Sequence, residues 1–238
     1  MLQRPGPARR GHTRPAPRRW FDVPVIHTTD YEIQDEARVR DLVRTHGWAT
    51  LVSVADDGAP VASHLPVLLE DTPEGEPMSL LTHVGRPDEV LHSLDSGRES
   101  LLVVQGPHGY VSPGWYEMTP AVPTWDYLAV HLWCTVELLG PEDTYAVLSD
   151  TVDRYESVRP EPVRLPDVEE YAHRIAKGAA GFRLRVVRWQ GKAKLSQDKP
   201  RAVVERVVTA LESDPHYAQP ALAAEVRAEL ARRPADAP

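Results

Sequence analysis

The clearest pattern in the chain is an alternation of apolar and polar positions over residues 128–139, LAVHLWCTVELL. Every second position is apolar, and the set comprises Leu128, Val130, Leu132, Cys134, Val136 and Leu138. Because successive side chains of a β-strand point to opposite faces, a period of two predicts a strand with one face in the core. His131 and Trp133 fall on the other face.

Two further alternating runs flank Asp57-Gly58, a dipeptide typical of a tight hairpin turn. In the second arm, Val61, Leu65 and Val67 share the apolar stripe, so His64 points to the opposite face. Further strands are predicted over residues 78–84, 100–105 and 181–189.

Helical periodicity separates and follows these strands. The first helix is expected to be capped by Thr29 or Asp30 and to end at Gly47, with Val39, Leu42 and Val43 on its apolar face. A short helical segment is expected near residues 87–94. The helix over residues 141–157 is expected to bury one stripe, formed by Tyr145, Leu148, Val152 and Tyr155. Three more helices are predicted over residues 168–178, 199–213 and 220–233.

Strands flanked by helices, without strict βαβ alternation, favour an α+β fold. We predict a closed antiparallel barrel with helices packed outside. The main domain is expected over residues 21–198, and residues 199–238 are expected to form a C-terminal helical extension.

Two aromatic segments interrupt the predicted strands. Residues 105–117, QGPHGYVSPGWYE, are too long and too aromatic for a simple turn, and residues 122–131, VPTWDYLAVH, lead into the clearest strand. We interpret both as rim loops, with Thr124 and Asp126 as polar tips. Their candidate binding residues are His108, Tyr110, Ser112, Trp115 and Trp125. A packed barrel rim is the alternative interpretation.

Residues 191–199, GKAKLSQDK, lie between a predicted strand and a predicted helix. Lys192, Lys194, Ser196 and Gln197 bring cations and hydrogen-bonding groups next to a helix N-terminus. That combination suits an anion, particularly a phosphate, although a solvated basic turn is nearly as good an interpretation.

Composition narrows the classes of function. The net charge of −8 does not favour general nucleic-acid or membrane-surface binding. Cys134 is the single cysteine, which excludes a disulfide framework and fits a reducing cytoplasm. No apolar stretch approaches the ~20 residues that span a bilayer. Residues 1–20 carry six arginines, four prolines and no acid, and are expected to form a disordered basic tail.

Five stretches, ATLVS, SHLPVLL, QGPHGYVSPGWYE, VPTWDYLAVH and KLSQ, resemble the PaiB family of FMN-binding negative transcriptional regulators in order and spacing. The resemblance runs from about Phe21 to Leu211. It implies an FMN-binding split β-barrel, akin to pyridoxamine-phosphate oxidases, that assembles as a homodimer with flavin near the subunit interface.

A related branch, the piperazate synthases, is similar around SHLP but carries heme b and closes an N–N bond in N5-hydroxyornithine. By that resemblance His64 would be the axial heme ligand. His108, Trp115 and Trp133 are closer to the regulator branch. FMN is therefore the predicted cofactor and heme b the alternative.

DNA binding is implied by the family resemblance alone, because the sequence contains no helix-turn-helix pattern, zinc finger or basic recognition helix. A heme-dependent enzyme of the piperazate synthase type, or a flavin oxidoreductase, is the alternative from a different class. A regulator acting through a protein partner is the third.

Overall fold

The computed structural model describes residues 31–73 and 75–233. The predicted basic tail, Thr29 and Asp30 therefore lie outside the described residues. Within these residues, seven strands run in chain order: β1 (Glu32–Ile33), β2 (Trp48–Val54), β3 (Pro60–Leu69), β4 (Ser79–Gly85), β5 (Ser100–Val111), β6 (Thr124–Leu138) and β7 (Ala179–Lys194). The same part of the chain contains six α-helices: α1 (Glu36–Thr45), α2 (Arg86–Leu91), α3 (Pro141–Glu156), α4 (Glu169–Ala176), α5 (Arg201–Ser213) and α6 (Pro220–Arg232). Short 3₁₀ turns occupy Pro113–Tyr116 and Leu165–Val168.

The strands form one antiparallel sheet in the order β1-β7-β4-β3-β2-β5-β6. β6 also pairs with β7, so the sheet closes on itself as a six-stranded barrel, with β1 as a short addition on β7. Closure removes the free edges of the sheet. The predicted α+β class and closed antiparallel barrel are confirmed.

The inward stripes of the strands fill the barrel. The alternating positions of β6 from Leu128 to Cys134 are fully buried, as their period predicts. Val136 is only partly buried and Leu138 is 38% exposed, because both lie towards the end of the strand. The apolar faces of α5 and α6 join the same core. Among the described residues, no helix has both the length and the apolar character needed to cross a membrane.

The first half of the central aromatic segment, residues 105–111, is strand and not loop, contrary to the prediction. β5 continues through Gly106 and Pro107 as far as Val111, and β6 already begins at Thr124. A register shift between Gln105 and His108 absorbs the irregular residues. The connection between the two strands is therefore residues 112–123.

Helix α1 begins later than predicted. Asp35 is its N-cap, and its carboxylate accepts a hydrogen bond from the backbone N–H of Ala37 at 2.9 Å. The preceding residues Glu32 and Ile33 pair with β7 instead, and strand pairing excludes them from a helix.

Helix α3 buries a different stripe from the predicted one. Thr144, Val147 and Thr151 face the barrel, where the backbone N–H of Gly181 donates to Thr144 Oγ1 at 3.1 Å. The two elements pack closely there, because a Cβ at Gly181 would lie 2.8 Å from Thr144 Oγ1. The larger predicted residues are not fully buried, and Leu148, Val152 and Tyr155 line a cavity between α3, α4 and the barrel.

Candidate functional site

The outward-pointing side chains of β3, β2, β5, β6 and β7 form one continuous surface, which we call the outer face. His64 lies opposite Thr50, Thr50 opposite Val103, and Val103 opposite His131. Neighbouring strands are about 4.8 Å apart, so this row brings the two predicted histidines onto one surface roughly 14 Å apart along the sheet.

The next rows of the outer face carry the predicted lysines. His108 lies opposite Tyr127, and Tyr127 lies opposite Lys194. In the neighbouring row, Ala129 of β6 lies opposite Gln105 of β5 on one side and opposite Lys192 of β7 on the other. The register therefore collects residues from four distant sequence motifs on one side of the barrel.

Three histidines surround a cavity of about 500 Å³ at the edge of the outer face, which we call the histidine cavity. Its lining comprises Thr45, His46, Gly47, Trp48, Thr50, His64, Val103, Gln105, His108, Arg154 and Tyr155. His64 Nδ1 is 3.0 Å from Thr50 Oγ1. Within the described residues His64 Nε2 has no hydrogen-bond partner, so this nitrogen remains available to a ligand.

Burial sets the ionisation of two nearby histidines. It lowers the pKa of His46, against a smaller opposing effect of Glu225, and it lowers the pKa of the half-buried His131. Both imidazoles are therefore biased towards the neutral form, which can accept a hydrogen bond or bind a metal.

The lysine and serine of the predicted anion group meet a buried carboxylate. Asp126 is 0% exposed and accepts a hydrogen bond from Ser196 Oγ at 2.6 Å. Lys194 Nζ lies 3.4 Å from the same carboxylate and donates to Thr124 Oγ1 at 2.5 Å and Trp125 O at 2.6 Å. Asp126 is thus an internal partner for both residues, rather than the polar loop tip we expected.

Opposing effects act on the pKa of Asp126. Burial raises the pKa of its carboxyl group, while Ser196 and Lys194 act in the opposite direction. The group lines a smaller cavity of about 280 Å³ with Lys194 and Ser196.

The remaining predicted residues are dispersed around the same end of the barrel. The indole of Trp125 is 55% exposed and stacks on His108 at a centroid distance of 6.3 Å. The ring centroids of Tyr110 and Tyr217 are 4.9 Å apart. Two side chains have local partners: Ser112 Oγ accepts from Gly114 N, and Gln197 Nε2 donates to Ala193 O. The backbone carbonyl of Trp115 accepts a hydrogen bond from Arg206 on α5.

Three cations near the outer face have no carboxylate within salt-bridge distance among the described residues. Lys192 Nζ lies 5.6 Å from the ring centroids of Tyr31 and Tyr127. The guanidinium of Arg188 covers Trp133 at 3.7 Å, and Arg154 donates to a backbone carbonyl. These cations retain the capacity to pair with an anionic ligand.

Sequence reasoning missed His46, Arg154 and the burial of Asp126. The last had a usable signal, because Thr124, Asp126 and Leu128 continue the inward stripe of β6. His46 and Arg154 had none, since each is close to the histidine cavity only through the packing of a helix end.

Comparisons with known proteins show which proteins this chain is similar to. The family model described as "Putative FMN-binding domain" matches residues 26–188. The chain is 25% identical over 185 residues to "Protease synthase and sporulation protein PAI 2" of Bacillus subtilis, covering 77% of this chain and 87% of the relative. It is 32% identical over 122 residues to "Uncharacterized protein YKL070W" of Saccharomyces cerevisiae, covering 48% and 72%. The solved FAD and heme binding protein from Mycobacterium smegmatis superposes with a TM-score of 0.50 at 19% identity, covering 69% of this chain and 73% of that one.

Proposed function

The chain belongs to the FMN-binding domain family, and from this premise we propose that it holds FMN on the outer face of its barrel. The predicted resemblance to the PaiB family and the FMN prediction are confirmed at the level of the domain. The observation that supports this location is the strand register, which puts His64, His131, His108, Lys192 and Lys194 on one surface.

The side chains present fit the two chemically different ends of FMN. Trp125 and Tyr127 offer flat apolar area to an isoalloxazine ring. Lys192, with no carboxylate at salt-bridge distance in the described part of the chain, offers a charge to the phosphate. When bound, FMN supplies one- and two-electron transfer, and the protein orients it and controls access of water.

Replacing Lys192 by alanine should weaken FMN binding by about ten- to a hundredfold, the range expected for one charge-assisted hydrogen bond. Substitution of Lys194 would be a less selective test, because its salt bridge with the buried Asp126 gives it a structural role as well. Titration of the apoprotein with FMN, followed by flavin fluorescence, measures the effect. Lys177→Ala, at an exposed cation beyond α4, is the matched control and should leave the affinity unchanged. Equal affinities for wild type and Lys192→Ala would remove Lys192 from the phosphate site.

Heme is the second candidate, and the histidine cavity is the observation that favours it. His64 presents a free Nε2 to a cavity that His46 and His108 also line. Neutral imidazole is the usual protein ligand of heme iron. The visible spectrum of the purified protein separates the candidates: a flavin spectrum that persists in His64→Ala supports FMN, whereas a heme spectrum that His64→Ala abolishes supports a heme enzyme. A flavin oxidoreductase would in addition turn over a reductant.

A symmetric homodimer is part of the proposal. Val52, Leu101, Val103 and Trp133 are adjacent on the outer face and only half-buried in one chain. Apolar patches of this kind are commonly covered by a partner, and two-fold assembly pairs a patch with its own copy. The resemblance to the PaiB family also implies a dimer.

We also propose a more specific role, as a negative transcriptional regulator, which rests on the PaiB resemblance. With a net charge of −8, the arginines of residues 1–20 are the part of the chain suited to phosphate contacts. Deleting residues 1–19 should weaken DNA binding and flatten its salt dependence, with no change in FMN content or melting temperature. Absence of DNA affinity in the full chain at about 50 mM salt would contradict this role. Cytoplasmic location stays a prediction.

A further inference from the structure

A third cavity, of about 550 Å³, lies between α3, α4 and the barrel; we call it the apolar cavity. Ten residues line it, and its walls are mainly apolar, formed by Leu148, Val152, Leu165, Ala172 and Ile175 with Pro66 and two aromatic rings. The hydroxyl of Thr151 is already used, since it donates to Val147 O at 2.7 Å. Its volume falls in the range typical of small-molecule sites.

His83 is the one histidine in this lining. Burial lowers its pKa, so the ring is biased towards the neutral form. Its Nδ1 is buried with no hydrogen-bond partner. The other ring nitrogen of His83, Nε2, is not among the buried unpaired atoms, and it has no hydrogen-bond partner within the described residues. Nε2 is therefore the nitrogen that a ligand can reach.

The proton of a neutral His83 is better placed on Nε2 than on Nδ1. A proton on Nδ1 would create a buried donor without an acceptor, which is costly and rare. A proton on Nε2 can be donated to water or to a ligand in the cavity. His83 therefore adds an imidazole donor to a mainly apolar lining, whose two aromatic residues, Trp48 and Tyr155, carry one N–H and one O–H.

The apolar cavity is open to solvent and adjoins the histidine cavity. Trp48 and Tyr155 line both cavities. Their side chains are 62% and 49% exposed, and Ile175 on the rim is 55% exposed. A small molecule can therefore enter without opening the barrel, and the two aromatic rings separate it from the histidines.

We propose that the apolar cavity is a binding site for a small, neutral aromatic molecule with a carbonyl oxygen that accepts a hydrogen bond from His83 Nε2. The aromatic part packs against Trp48, Tyr155 and the aliphatic side chains of α3. The site is separate from the outer-face residues to which we assign FMN.

Two probes of nearly equal shape test this site: 2-acetylnaphthalene, which has the carbonyl, and 2-ethylnaphthalene, which lacks it. Equilibrium dialysis with the full-length protein measures both dissociation constants. In the wild type both probes should bind, and His83→Leu should reduce the preference for the ketone by about two- to tenfold, the net worth of one neutral hydrogen bond. Val152→Trp, which fills the cavity from α3, should abolish binding of both probes.

His216→Ala is the matched control, since it removes an exposed histidine that lines neither cavity and should leave both dissociation constants unchanged. Loss of probe binding in His108→Ala, whose imidazole lines the histidine cavity and not the apolar cavity, would place the probes in the histidine cavity and overturn the assignment. An unchanged ketone preference in His83→Leu, or no binding of either probe to the wild type, would also overturn it. FMN content and circular dichroism are recorded for every variant, so failure of the flavin proposal is distinguished from failure of this one.

Discussion

Replacing Asp126 by alanine should lower the free energy of unfolding by about 3 kcal/mol. The carboxylate is fully buried and is the hydrogen-bond acceptor of Ser196 Oγ, which is itself 3% exposed. Alanine would leave that hydroxyl without its acceptor and Lys194 without its counter-charge, next to a void. Because Lys194 keeps Thr124 and Trp125 as partners, the loss should fall at the lower end of the range for broken buried pairs.

Urea denaturation followed by circular dichroism measures this loss. Asp198→Ala is the matched control in the same region, because Asp198 is exposed and, among the described residues, forms a salt bridge only with its neighbour Lys199. That substitution should change the free energy of unfolding by less than about 0.5 kcal/mol. A loss below about 1 kcal/mol in Asp126→Ala would mean that the buried pair is not needed for stability.

The pH dependence of Asp126→Asn provides an independent check. Because burial raises the pKa of Asp126, folding favours its protonated form. This contribution to stability is fully present below the ordinary aspartate pKa of 3.8 and is lost as pH rises through the raised value. The wild type should therefore gain stability relative to Asp126→Asn as pH falls from neutrality towards 3.8, whereas a constant difference would indicate an unperturbed carboxyl group.

The strands and helices were largely predictable from the sequence. Most of them bury one face, so their apolar residues recur at the period of a strand or of a helix. β5 departed from the prediction, since Gly106, Pro107 and Gly109 have the composition of a turn. In the structure these glycines provide space rather than flexibility: a Cβ at Gly109 would lie 3.0 Å from Gln219 and 3.1 Å from Leu222. That requirement comes from α6, which is more than 100 residues away in sequence, and local sequence patterns do not contain it.

The candidate site was predictable as a set of residues but not as an arrangement. Alternation placed His64 and His131 off the apolar stripes, and the register then put them in one row. Neither the pairing of Ser196 with Asp126 nor the closeness of His46 to His64 follows from spacing, because each depends on tertiary packing.

Leu101→Glu should convert the proposed homodimer into a monomer. Leu101 points outward from β5 between Val52 and Trp133, so a glutamate there faces solvent in one chain but an apolar surface in the dimer. Two-fold symmetry introduces the charge twice, and burying an unpaired polar group costs about 2 kcal/mol at each site. The dissociation constant of the dimer should therefore rise by roughly a thousandfold.

Size-exclusion chromatography with light scattering, over a concentration series, measures the mass of Leu101→Glu. Val90→Glu is the matched control, because Val90 lies on α2 and is already 77% exposed; that variant should remain dimeric. Since the PaiB resemblance places flavin near the subunit interface, the monomeric variant should also lose bound FMN while its circular dichroism spectrum is preserved. A wild type that is monomeric at micromolar concentration would refute the dimer, and a monomeric Leu101→Glu that retains full FMN content would show that one chain alone completes the flavin site.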